Sequence, residues 1–64
     1  MMTYKYFCEQ LKAIFIDIAE EFTFEKNEVE YRAYLCNKKI MIQGNPYSER
    51  YKLFFNGSFA GYVR

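Results

Sequence analysis

Apolar residues return every three or four positions at the start of this chain and every second position through most of the remainder. The pattern therefore predicts one helix followed by strands. Over residues 3–22 the apolar positions are Tyr4, Phe7, Cys8, Leu11, Ile14, Phe15, Ile18 and Phe22, with Glu9, Gln10, Lys12, Asp17, Glu20 and Glu21 between them. That spacing is an amphipathic helix of about five turns, and Thr3 is placed to cap its N-terminus. Ile16 lies off the stripe, on the side of Glu9, Ala13 and Glu20, as an exposed contact.

After a polar connection over 23–27, residues 28–36 alternate. Val29, Tyr31, Ala33 and Leu35 lie on one side and Glu30, Arg32, Tyr34 and Cys36 on the other, the signature of a half-buried strand. Asn37-Lys38 suits a turn into a short strand over 39–43, and residues 44–49 read as a loop punctuated by Gly44 and Pro46. Residues 50–55 and 58–64 flank Asn56-Gly57, the strongest short hairpin signal, since a type I′ turn needs positive φ at both central positions. The expectation is an α+β fold in a single domain spanning 1–64: one N-terminal helix packed on one face of a three- to four-stranded antiparallel meander sheet.

Treating each connection as a hairpin with an even number of loop residues fixes which side chains share a face. Leu35 then opposes Ile40, Ala33 opposes Ile42, Ile42 opposes Tyr51, Ile40 opposes Leu53, Leu53 opposes Ala60 and Tyr51 opposes Tyr62. With Val29, Tyr31 and Phe55 these form the face for the helix. The opposite face receives Tyr34 across from Met41, Met41 from Lys52, Lys39 from Phe54, Phe54 from Phe59, and Arg32 from Gln43, with Arg50 across from Gln43 and Val63. Asn-Gly also suits a three-residue loop with a bulge, which would send Phe59, Gly61 and Val63 to the helix face and Ala60 and Tyr62 outward. In either form one helix leaves an aromatic sheet face uncovered.

Composition sharpens that picture. Sixty-four residues build only a small core, because a domain of this size buries only about 60% of its unfolded surface. Seven Phe and seven Tyr partly offset this, as each buried ring removes about 150 to 250 Å² from water. The net charge of +1 divides sharply: up to Glu30 there are three Lys against seven Asp or Glu, and from Tyr31 onward six Lys or Arg against Glu49 alone. Such asymmetry points to nucleic acid, to an acidic protein surface, or to self-association through opposite ends. The apolar run 13–19 is short and carries Asp17, so neither a secretion signal nor a membrane span is expected. Cys8 and Cys36 are then reduced thiols of a cytoplasmic protein.

Catalytic signatures are missing from the sequence. There is no His, there are two Ser, and no phosphate-binding glycine loop or nucleophile elbow occurs. Glu20 and Glu21 diverge by about 100° on a helix and do not share a site. Two Cys without His make no zinc set. Cys36 stands beside Lys38 and Lys39, a setting in which a thiol becomes reactive. The chain is expected to be no enzyme and to hold no cofactor or metal.

Function is therefore expected on the outer sheet face. Tyr34, Met41, Phe54 and Phe59 are the anchors there, and Arg32, Lys39, Arg50 and Lys52 the cationic rim, a composition typical of protein interfaces. Binding of single-stranded nucleic acid is the alternative, with bases stacked on the rings, although such domains usually have a pI above about 9. A small structural homodimer is the second alternative. The abundance of Phe, Tyr, Lys, Ile and Asn is the bias of an AT-rich genome. In size, bias and lack of motifs the chain resembles the accessory proteins of phages and mobile elements. That resemblance implies a cytoplasmic inhibitor that sterically blocks a host protein or an antiviral, CRISPR-type nucleoprotein complex.

Overall fold

A computed structural model describes residues 1–63 of the chain. Helix α1 (Tyr4–Ile14) is followed by a 3-10 segment (Ile16–Glu21). Five strands complete the fold: β1 (Thr23–Lys26), β2 (Tyr31–Leu35), β3 (Ile40–Gly44), β4 (Lys52–Phe55) and β5 (Ser58–Tyr62). The strands form one antiparallel sheet in chain order, the expected meander with one strand more than the pattern suggested. Arg64, placed by the sequence at the end of the last strand, lies outside the described residues.

Thr3 caps α1 as expected, its Oγ1 accepting from the Tyr6 N–H at 3.1 Å. The helix stops at Ile14 rather than running to Phe22, because Phe15 leaves helical geometry at φ −111, ψ 52. An unbroken helix over 3–22 would be about 30 Å long, more than the greatest extent of the molecule, 28 Å. The β-branched Ile14, Ile16 and Ile18 also favour helix less than straight-chain residues do. The break lets Phe15 meet Phe22 at 5.8 Å and Phe22 stack on Phe24 at 5.4 Å. Ile16 is 75% exposed.

Residues 23–26 form β1 rather than the polar connection their composition suggests, with Phe24 packed against the core. The next turn is made by Asn27, whose Oδ1 accepts from the Val29 and Glu30 N–H groups at 2.8 and 2.9 Å. It shortens the predicted strand 28–36 to β2. It also leaves Val29 71% exposed instead of on the helix face, because side-chain turns of this kind compete with strand extension.

From β2 to β3 the register is the predicted one, with Leu35 across from Ile40, Tyr34 from Met41, Ala33 from Ile42 and Arg32 from Gln43. Lys39, assigned to the strand, belongs to the preceding four-residue turn, where Cys36, Asn37 and Lys38 all have positive φ. From β3 to β4 the register differs by two residues. Ile42 faces Leu53, Ile40 faces Phe55, Met41 faces Phe54 and Gln43 faces Lys52. An even shift preserves every face. The longer loop arises because Asn45 Oδ1 accepts from the Tyr47 N–H and Ser48 bonds the Arg50 backbone in both directions, drawing Arg50 out of the strand.

Across Asn56 (φ 49) and Gly57 (φ 83) the hairpin is the two-residue type, pairing Phe55 with Ser58 and Phe54 with Phe59. A bulge then shifts the register, so that Leu53 pairs with Gly61 and Lys52 with Tyr62. Neither predicted version of this hairpin holds alone: Phe59 and Tyr62 both face outward, Ala60 is exposed and Val63 packs against the core.

The core comprises Phe7, Leu11, Tyr31, Ala33, Ile42 and Tyr51, placing α1 over the inner sheet face. Phe55 is on that face but half-exposed. No helix among the described residues is long and apolar enough to cross a membrane.

Candidate functional site

Four consecutive pairings line up Thr23, Tyr34, Met41, Phe54 and Phe59 across all five strands on the face away from α1. At about 4.8 Å per strand this row is about 19 Å long. The neighbouring row runs Glu25, Arg32, Gln43, Lys52 and Tyr62. The outer face is thus a mainly apolar row beside a mainly polar one, because alternation within each strand puts like residues in register.

The two ends of the face differ. Toward β1, Arg32 bonds Glu30, with Glu25 3.5 Å away, and Gln43 bonds the other oxygen of Glu30. The hydrogen bond to Glu30, with a smaller contribution from Tyr34, raises the Arg32 pKa further above its ordinary value. Tyr34 donates its hydroxyl to Glu25 at 3.0 Å, and Lys38 lies 5.4 Å from the centre of its ring. Arg32 is therefore a neutralised member of a hydrogen-bonded corner rather than a free rim cation. Alternation already puts Glu30 on the side of Arg32; Glu25, in the strand that the pattern does not show, is the added partner.

Toward β5 the face is an aromatic ladder. Phe54 meets Phe59 at 5.8 Å and Phe59 meets Tyr62 at 5.4 Å, both edge-on. The Arg50 guanidinium stacks on Tyr62 at 3.6 Å, a contact that fixes the arginine while leaving its charge uncompensated. Among the described residues the ion pairs are those of Arg32, so Arg50, Lys52 and Lys38 present unneutralised charge. Phe59 is 54% and Tyr62 46% exposed.

Of the eight residues singled out from sequence, Tyr34, Met41, Phe54, Phe59, Arg32, Arg50 and Lys52 share this face. Lys39 sits at its border in the 36–39 turn, with its carbonyl accepting from the Asn56 N–H at 2.8 Å. Tyr62, inward in the even-loop register and outward in the bulged one, faces outward. Gly61, five residues after Asn56, is the sequence signal for the bulge that turns it out. Lys38 joins the face through its contact with Tyr34.

Cys8, half-buried, and Cys36, exposed, are both free. Burial raises the Cys8 pKa, only partly opposed by a hydrogen bond with Tyr4. No group of three or more His, Cys, Asp or Glu among the described residues is arranged to hold a metal ion. Compared with known proteins, the chain matches no family model, no curated protein and no solved structure.

Proposed function

We propose that this chain is a small non-enzymatic protein-binding module whose outer sheet face docks on a partner. In this reading it is an inhibitor of the phage or mobile-element type, blocking a host protein or an antiviral nucleoprotein complex by occupying its surface. The observation that carries the reading is the row Tyr34, Met41, Phe54 and Phe59, which spans four adjacent strands on the face that α1 leaves bare. Aromatic and Met anchors beside Arg are what interface centres are enriched in. Even the largest projection of the molecule, 28 by 24 Å, is of the order of the ~800 Å² that each partner gives to a stable interface. A tight partner therefore has to use most of a face, which suits inhibition by coverage.

Single-stranded nucleic acid is the competing ligand, favoured by the Phe54, Phe59 and Tyr62 ladder. Glu25 and Glu30 count against it, because they neutralise Arg32 and place carboxylates where a phosphate backbone would run. Affinity capture from host lysate, with and without nuclease, separates the two. The reading predicts nuclease-resistant capture that Phe54→Ala reduces and the helix-face change Glu9→Ala does not. Capture lost to nuclease would transfer the face to nucleic acid, and capture indifferent to Phe54 would remove the face from the mechanism.

A further inference from the structure

The two edges of the sheet have opposite character. β1 is four residues long and carries Glu25 and Lys26, the short, charged kind of edge that resists pairing with another strand. β5, Ser58–Tyr62, has no charged residue and no proline, and among the described residues no strand lies beyond it. Beside it stand Lys52, in register with Tyr62, and Arg50, stacked on the Tyr62 ring. Neither cation has a carboxylate partner among the described residues.

We propose that β5 takes up an extended acidic segment of a protein partner as a sixth strand. The proposal deepens the docking reading above and rests on it, naming the side from which the partner engages the face. Strand addition gains affinity from main-chain hydrogen bonds and specificity from alternate side chains. Here alternate side chains of the incoming segment continue the row that ends in Phe59, one further step of about 4.8 Å. Its carboxylates meet Arg50 and Lys52. The five residues of β5 match about five residues of an extended partner, at about 3.3 Å each.

Charge also decides against a second copy as the occupant. Pairing two β5 edges would bring the Arg50 and Lys52 of both copies to one seam, and each edge would carry the bulge between Phe59 and Gly61. The bulge restricts the edge to segments that accommodate its extra residue, as bulges on exposed edges generally do.

The test is titration of the isotope-labelled chain with the peptide acetyl-Asp-Val-Glu-Val-Asp-Val-amide, its lysine counterpart, and the acidic peptide N-methylated at alternate residues. Salt-sensitive binding of the acidic peptide is expected, together with at least about tenfold slower amide exchange within residues 58–62 and about tenfold weaker binding of the N-methylated form. Failure of the acidic peptide to bind, equal binding of the lysine or N-methylated peptide, or binding without added protection in β5 overturns the proposal. So does protection of β5 by self-association or by oligothymidylate, which would give the edge to a second copy or to nucleic acid. The docking reading is judged separately, by whether Phe54→Ala reduces nuclease-resistant capture, so strand addition can fail while that reading stands, and the two failures are distinguishable.

Discussion

Phe7 lies against three aromatic rings at once, those of Phe24, Tyr31 and Tyr51, at 6.4, 5.5 and 5.4 Å. Both Phe7 and Leu11 are fully buried, and truncating such side chains leaves a cavity that the surroundings fill only in part. Phe7→Ala and Leu11→Ala should each cost about 2 to 5 kcal/mol in chemical denaturation, enough to unfold much of so small a domain. Leu53 and Phe15, which periodicity places in the same core, are half-buried and should cost less on truncation. Equal losses at all four positions would contradict this assignment. Titration gives a second residue-scale prediction. Burial raises the Tyr4 and Cys8 pKa values above their ordinary 10.0 and 9.0, so folding favours the protonated forms of both. That stabilisation is present in full below the ordinary values and is lost as pH rises through the folded ones. The melting temperature should therefore hold to about pH 8.5 and decline above it, and Cys8→Ala should flatten the first part of the decline. A decline unchanged by Cys8→Ala would remove the thiol from it. The helix stripe made Phe7 and Leu11 legible in the sequence. The burial of Tyr51, which is outside any strand, depends on the path of the 45–51 loop and was not legible beyond its face.

Helix α1 and strands β2 to β5 were all visible as periodicity, and the faces of β2 to β4 survived a two-residue error in the β3–β4 register because an even slip leaves alternation unchanged. Three features needed information that periodicity lacks. The end of α1 at Ile14 comes where Phe15 leaves helical geometry and meets Phe22, a contact made by the tertiary fold. Strand β1 carries one apolar residue, Phe24, too few for alternation to register. The bulge in β5 is a property of pairing and shows in the sequence only as Gly61. Gly61 has φ +125 and nothing within 4 Å of where a Cβ would stand, so backbone conformation rather than space requires glycine there. Gly61→Ala should cost about 1 to 3 kcal/mol and loosen the turned-out position of Tyr62, seen as weaker amide protection in the last hairpin. A fully tolerated Gly61→Ala would mean that the bulge is not fixed. In β2, Arg32→Gln removes the guanidinium that holds Glu25 and Glu30, and should lower stability by about 1 to 3 kcal/mol. It should scarcely change the salt dependence of binding, whereas Lys52→Gln should change salt dependence and association rate with little effect on stability.

At the scale of the molecule, the charge division along the chain becomes a division across one surface. Its carboxylates gather around Arg32 at the β1 end, while Arg50 and Lys52 remain open beside the aromatic ladder at the β5 end. The sequence made seven of the eight selected residues legible as one face, but not how they divide: alternation put Glu30 on the side of Arg32 without showing that the two pair, and it missed the strand that brings Glu25 to the same guanidinium. The division gives the face a direction, and a partner with acidic character should seat on Phe54, Phe59 and Tyr62 more closely than on Tyr34. Phe54→Ala should accordingly weaken binding by about 1 kcal/mol or more, and by more than Tyr34→Phe, which removes only the hydroxyl bonded to Glu25. The most direct test of the docking face is a cross-saturation experiment on the labelled chain bound to its captured partner, which reads out the residues that touch it. Signal loss should centre on the Met41 methyl, Phe54, Phe59 and Tyr62. Loss centred instead on Tyr6, Glu9 and Ile16, along the exposed side of the helical segment, would contradict the assignment of the outer sheet face as the working surface.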